Sequence, residues 1–465
     1  MKENIHLFYT NDLHSHFEHW PQVATYLKAE RLKKREENKS CWLVDIGDHM
    51  DRVNPITEAY MGKANVQLLN DLSYDLITIG NNEGITMAYE DLYELYDEAS
   101  FKVVCSNLYS QRLKQPTWLH TSTQLTSKQG VNVGVLGLTA PFNAFYHLLG
   151  WHVEQPFTTL EKYLQPLKET CDVIILLSHL GLNEDRAIAR HFPDIDVIIG
   201  GHTHHLLRSG EKVNETLITA AGKHCMFVGE VILTWDHAKQ KLINMEAYTT
   251  DITHLPKDLT TEQKLNELEE EATRILEQPV VTIQKPLEVN WFKATNIMQK
   301  LTDMLTSWTG ADCGMLNAGL LLDQFAAGDI TYKDIHRICP HPINPCVVEL
   351  NGDELLEVIR GSLSKDFTEL QLKGFGFRGE VLGRMVFAKL HVKTEVHKNG
   401  EEYVKSVSFN NKPLQPHATY KVATADTFTF GRLLPQIAKA KSKQYYVPEF
   451  IRDLLVKTLQ YHFEK

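Results

Sequence analysis

Five short β-branched, apolar runs in the N-terminal part of the chain each stop at a carboxylate, amide or imidazole. Residues 5–10 run into Asn11-Asp12-Leu13-His14, and residues 41–46 into Gly47-Asp48. Residues 75–79 lead to Gly80-Asn81-Asn82-Glu83, and residues 173–177 to Ser178-His179. Residues 196–199 lead to Gly200-Gly201-His202-Thr203-His204. Runs of this kind read as buried strands, and in α/β sheets the strand ends are where ligands are held. Carboxylate, amide and imidazole side chains repeated at such ends predict a metal cradle.

Between these runs lie helical stretches. Pro21 opens one carrying Val23, Ala24, Leu27 and Leu32, and others are expected over 55–72 and 87–98. After Gly201 the texture turns to β, with strands expected at 216–220, 226–235 and 241–248. A charged helix over 259–278 has one apolar stripe at Leu265, Leu268, Ala272 and Leu276. Such a segment reads as a bridge between domains. Beyond it, helices are expected near 295–309 and 352–363, a Gly/Phe-rich loop at 374–379, and strands at 385–394 and 403–409. The fold class is therefore α/β, with a layered N-terminal domain over 1–255, a linker helix over 256–279 and a smaller α+β domain over 280–465.

Mixed histidine, aspartate and asparagine ligation suits two divalent ions of Mn, Zn, Fe or Co rather than calcium, which prefers oxygen alone. The net charge of −11 argues against a nucleic-acid backbone as partner. No apolar run is long enough to span a membrane, and no segment calls for an obligate protein partner. The 7 cysteines are scattered without a C-x-x-C pair, and residues 1–4 pass straight into the first strand. A cytoplasmic location with free thiols is the expectation.

The ordered blocks resemble those of the calcineurin-like metallophosphoesterase superfamily, and within it the 5'-nucleotidase family. Asp12-Leu13-His14, Gly47-Asp48, Gly80-Asn81, Ser178-His179 and Gly201-His202-Thr203-His204 follow the family's order. The resemblance implies a β-sandwich flanked by helices, followed by a nucleotidase C-terminal domain. It implies that Asp12, His14, Asp48 and His204 hold one metal, and that Asp48, Asn81, His179 and His202 hold the other. The implied activity is hydrolysis of a phosphate ester, a nucleotide first of all, with the ions activating the attacking water. A cyclic-nucleotide or nucleotide-sugar phosphodiesterase and a nucleotide-binding protein with reduced catalysis are the alternatives.

Asn317-Ala318-Gly319 and Leu350-Asn351-Gly352-Asp353 extend the resemblance into the second half. There the family sandwiches its base between two aromatic rings. The candidates are Phe375 or Phe377 with Phe428 or Phe430, and Arg378 is placed to meet a phosphate or ribose oxygen. The plainer reading makes these phenylalanines loop anchors and Arg378 a solvated charge.

Two positions depart from the family pattern. Its histidine after the metal-binding asparagine, and the aspartate that orients it, are Asn82 and Ile85 here; its phosphate-contacting arginine is Leu322. Asn82 reads either as a hydrogen-bond donor to the phosphoryl group or as a turn former. His49 and Arg52, beside Asp48, are the candidate stand-ins for the lost histidine.

Overall fold

The apolar runs form strands, and their pairing carries the motif residues to common edges. The computed structural model describes residues 1–398, 402–431 and 433–463. It contains two compact units, Met1–Ala272 and Thr273–Lys465, divided within the charged helix Leu259–Leu276. Leu268, Ala272 and Leu276 of that helix are buried.

In the first unit a seven-stranded sheet runs in the order Lys241–Asp251, Phe227–Asp236, Lys2–Thr10, Ser40–Asp45, Leu76–Ile77, Lys102–Val104 and Leu119–His120. A six-stranded sheet runs Glu211–Val213, Thr216–Thr219, Val197–Gly200, Val173–His179, Asn132–Thr139 and Thr123–Thr126. Ile5, Leu7 and Val44 of the first sheet meet Val135, Ile175, Leu177 and Ile199 of the second in one buried cluster. The second sheet's other face, with Leu136, Leu176 and Ile198, is covered by Leu160, Leu164 and Ile188 from helices Pro156–Lys168 and Leu182–His191. Each fully buried aliphatic side chain contributes ~1.5–3 kcal/mol. This is the helix-flanked sandwich that the family resemblance implies.

Register positions the motifs. Thr10 pairs with Asp45, and Asp45 with Ile77, across parallel strands. Asp12, Asp48 and Asn81 therefore leave neighbouring strands at one edge. In the second sheet Ser178 pairs with Gly200, so His179 and His202 emerge side by side.

Three sequence expectations need correction. The helix expected over 55–72 is two helices, Pro55–Tyr60 and Lys63–Asp71, because Met61 and Gly62 take left-handed backbone at φ 48° and 79°. The helix expected over 87–98 is reduced to Tyr89–Glu94 with turns beyond it. The strand expected over 385–394 breaks at Lys389, φ 58°, into Met385–Ala388 and Leu390–Val396, which join different sheets.

The second unit is built on a five-stranded sheet ordered Met385–Ala388, Cys313–Asn317, Thr419–Ala425, Pro345–Asn351 and Lys443–Tyr445. Helices Asn296–Trp308, Gly352–Ser362 and Ile451–Phe463 bury Leu301, Leu305, Leu355, Ile359 and Leu455 in its core. Asn351 and Glu354 cap the middle helix reciprocally, each side chain bonding the other's backbone N–H at 2.9 Å. Among the described residues no helix is long and apolar enough to cross a membrane, and all seven cysteines are free thiols.

Candidate metal centre and base-stacking loop

Five of the seven expected ligands hold left-handed backbone. Asp12, His14, Asp48, His202 and His204 have φ between 49° and 70°. Such conformations cost ~1–3 kcal/mol each and persist where the surrounding structure enforces them. Here each strand ends and turns sharply, which throws the side chain across the sheet edge. The close approach of the turns demands glycine. A Cβ on Gly80 would lie 2.1 Å from Asp48 Oδ1, and one on Gly47 would lie 2.3 Å from the Gly80 nitrogen.

The ligand atoms gather in two clusters. Asp12, His14 and His204 present atoms within 4.8 Å of one another, as do Asp48, His179 and His202. Asp48 Oδ2 lies 3.3 Å from His179 Nε2 and 3.8 Å from His14 Nε2, so the carboxylate faces both groups. His204 Nε2 lies 3.4 Å from Asp12 Oδ1 and 3.0 Å from His14 Nε2.

Hydrogen bonds orient this set. His179 Nδ1 donates to the Ile46 carbonyl at 2.7 Å, leaving Nε2 buried with no hydrogen-bond partner. Asn81 Nδ2 donates to Asn82 Oδ1 at 3.2 Å, and Asn81 Oδ1 is likewise buried and unpartnered. Asp12 accepts the His202 N–H at 3.0 Å and the Asn11 amide at 2.7 Å. Behind the site, Glu83 accepts the backbone N–H groups of Gly80, Asp48 and Met50 at 2.9, 3.0 and 3.1 Å, stapling two motif turns together.

The electrostatics match a cation site. Burial opposes ionisation of Asp12, but His204, His179 and His14 outweigh it and hold the carboxyl below its usual range. Asp48 is depressed the same way, burial losing to His179 and His14. Burial works against charge on His179, yet Asp48 and Asp12 lift it to about 10. His202 is pushed down to about 4 by burial and by His179. A divalent ion replaces the proton that the carboxylates draw onto such an imidazole. Two orphaned ligand atoms within a mixed carboxylate, amide and imidazole set fit a pair of transition-metal ions.

The candidate stand-ins for the lost histidine have partners of their own beside the centre. His49 is buried edge-on to Trp20, ring centroids 5.1 Å apart, with Nδ1 facing the Asn65 amide at 3.2 Å. Burial presses its pKa to about 3. The Arg52 guanidinium is held by Glu58 at 2.8 and 3.0 Å and donates to the Thr86 carbonyl. Asn82 does stand at the centre, 2.9 Å from His14 Nδ1.

In the second unit Phe375 and Phe430 form a parallel pair, ring centroids 6.3 Å apart and planes 6° from coplanar, with Phe375 49% exposed. The other members of each aromatic pair are corrected by burial. Phe377 is 2% exposed and stacks on His341, and Phe428 is fully buried against Phe367. Neither offers a face to a ligand. Asn317 is also buried, its amide donating to the Leu382 carbonyl at 2.7 Å, so it shapes a turn. Arg378 is half-buried; its backbone N–H donates to His341 Nδ1, and its guanidinium reaches the Phe377 carbonyl at 3.2 Å.

Sequence reading passed over Asn11, Asp51, Glu83 and His224 as members of the site. Asn11 and Glu83 sit inside motif blocks and were detectable as buried polar partners. His224 stacks on His16 at 3.6 Å, and its N–H donates to the Asp12 carbonyl at 2.8 Å. It follows the last motif at a spacing that carries no signal.

Comparison with known proteins agrees with this geometry. Residues 5–206 match the calcineurin-like phosphoesterase model, and residues 277–432 match the 5'-nucleotidase C-terminal domain model. An uncharacterized metallophosphoesterase of Bacillus subtilis, YunD, is 41% identical over 98% of this chain and 99% of its own. A 5'-nucleotidase of Vibrio cholerae is 24% identical, matching over 76% of this chain and 74% of that one. The crystal structure of a putative 5'-nucleotidase from Staphylococcus aureus shares the fold, with a TM-score of 0.70 and 18% identity over 99% of this chain and 97% of that one. The chain thus belongs to the calcineurin-like metallophosphoesterases that carry a 5'-nucleotidase C-terminal domain, and it is a phosphoester hydrolase.

Proposed function

We propose that the chain hydrolyses the phosphate monoester of a nucleotide with two divalent ions held on either side of Asp48. The observation that carries the reading is a pair of buried ligand atoms beside Asp48: Asn81 Oδ1, which makes no hydrogen bond, and His179 Nε2, which faces the Asp48 carboxylate. His179 Nε2 lies 3.3 Å from Asp48 Oδ2, and the residue after Asn81 donates its N–H to Asp48 Oδ1 at 2.7 Å. An unpaired buried polar atom costs ~1–3 kcal/mol, which a bound cation offsets. Ions of this kind lower the pKa of a water and draw charge from phosphoryl oxygens.

The protein's own work is placement. Asp48 supplies the shared negative charge, and Asp12, His14 and His204 complete one shell. Asn81, His179 and His202 complete the other. Phe375 and Phe430 would offer the base a stacking surface. The exposed face of this parallel pair would let a flat ring stack, and stacking contributes ~1–3 kcal/mol per base by alanine substitution. The 5'-nucleotidase name of the Vibrio relative agrees with a nucleotide substrate.

The test is phosphate release by the full chain, stripped of metal and reloaded with Mn²⁺. Substrates are nucleoside mono-, di- and triphosphates, p-nitrophenyl phosphate and a nucleotide sugar. Metal-dependent turnover, fastest on nucleoside monophosphates, is expected. Turnover confined to the base-free ester or the nucleotide sugar would overturn the substrate reading.

A further inference from the structure

The geometry points to Asn82 as a positioning residue that links the two metal shells. It touches three ligands at once. Its backbone N–H donates to Asp48 Oδ1 at 2.7 Å, and its side-chain oxygen accepts from Asn81 Nδ2 at 3.2 Å. Its side-chain nitrogen lies 2.9 Å from His14 Nδ1 and 3.2 Å from the Met50 carbonyl, to which it donates. The Asn82 carbonyl in turn accepts from Thr86 Oγ1 at 2.5 Å, which holds the turn. This rests on the two-metal reading of the same site.

Each contact has a consequence for ligation. An amide that gives its N–H₂ to Asn82 keeps its oxygen turned the other way, and Asn81 Oδ1 is the atom left unpartnered. His14 directs Nε2 at Asp12, Asp48 and His204. An ion on Nε2 leaves the ring proton on Nδ1, where it faces the Asn82 amide and, at 3.8 Å, the Asp51 carboxylate. The carboxylate supplies the acceptor, and the amide keeps Asn81 and Met50 as its partners. Groups that fix a ligand histidine in this way typically change metal affinity 10–100-fold when lost. Asn82 thus acts through Asn81, His14 and Asp48 rather than on the phosphoryl group.

The test is calorimetric titration of the metal-stripped full chain with Mn²⁺, for wild type, Asn82→Leu and Asn82→Asp. Visible absorption of the Co²⁺-loaded proteins reports ligand geometry. Leucine keeps the size and loses both polar atoms, and binding of both ions is expected to weaken ~10–100-fold with an altered Co²⁺ spectrum. Aspartate keeps an oxygen for Asn81 but loses the N–H that the Met50 carbonyl accepts, so its affinity should fall between wild type and leucine. Asn82→Ala gives the same reading as leucine should the larger side chain fail to fit. Wild-type affinity in the leucine and alanine variants, or an aspartate variant as weak as leucine, would overturn the assignment. A wild-type chain that takes up no Mn²⁺ would instead overturn the two-metal reading beneath it.

Discussion

Replacing Asp48 by asparagine removes a charge that faces both ligand clusters while keeping the side chain's size. The structure sets the scale. Asp48 Oδ2 stands 3.3 Å from His179 Nε2 and 3.8 Å from His14 Nε2, so it would be a near neighbour of an ion in either cluster. A unit charge pair at about 4 Å is worth ~4 kcal/mol at an effective dielectric constant near 20, which is the smallest effect a divalent ion would feel. At ~1.4 kcal/mol per factor of ten, each ion then binds about 1,000-fold more weakly. Metal at 1,000 times its wild-type dissociation constant stabilises the native protein by ~4.1 kcal/mol per ion, and almost all of that gain disappears in the variant. With ~2–4 °C per kcal/mol for a domain near this size, wild type should melt ~8–16 °C higher with each ion bound. Asp48→Asn should show almost no such shift. Thermal melts against a Mn²⁺ series, with metal content measured on the same samples, read this directly. A variant that keeps two ions and the full thermal shift would refute the shared-carboxylate reasoning.

Phe375→Ala and Phe430→Ala should each raise KM for a nucleoside monophosphate by ~5–150-fold, the equivalent of ~1–3 kcal/mol of lost stacking, and leave turnover of ribose 5-phosphate, which has no aromatic ring, unchanged. Equal losses on both substrates would contradict a base-stacking role. Gly80→Ala forces a methyl group to 2.1 Å from Asp48 Oδ1, and the variant should fold but bind little metal by direct metal analysis. Acid should weaken the second unit through His341, whose burial pushes its pKa down to about 3. The unfolded chain titrates near 6.5, so between those values the unfolded state holds the extra proton. Stability is complete above about pH 6.5 and falls by ~1.4 kcal/mol per unit below it, or ~2 kcal/mol by pH 5. Urea unfolding at pH 7 and pH 5 measures the slope, and His341→Gln should flatten it.

The metal ligands were legible in sequence because strand-forming runs end where ligand side chains begin, and parallel pairing fixes which ends meet. Thr10 opposite Asp45 and Asp45 opposite Ile77 are consequences of burying those runs on both faces. What stayed illegible was side-chain direction within a turn. His49 follows Asp48 immediately, yet its ring packs under Trp20 because the left-handed residue before it reverses the chain. The same limit separates Phe375 from Phe377. Both lie in one Gly-Phe-Gly-Phe run, and only the left-handed turn at Phe375, φ 53°, leaves that ring 49% exposed while Phe377 is buried. The departure at Asn82 was visible as a substitution, but its contacts with His14 and Asn81 needed three strand ends in space. The break at Met61 and Gly62 likewise depends on tertiary fit, since a Cβ on Gly62 would lie 2.8 Å from Met50 Sδ.

Anomalous diffraction from crystals grown with Mn²⁺ tests the central claim most directly. Two peaks are expected, both in contact with Asp48. One should be bounded by Asp12, His14 and His204, and the other by Asn81, His179 and His202. A single peak, or a pair that leaves Asp48 untouched, would contradict it.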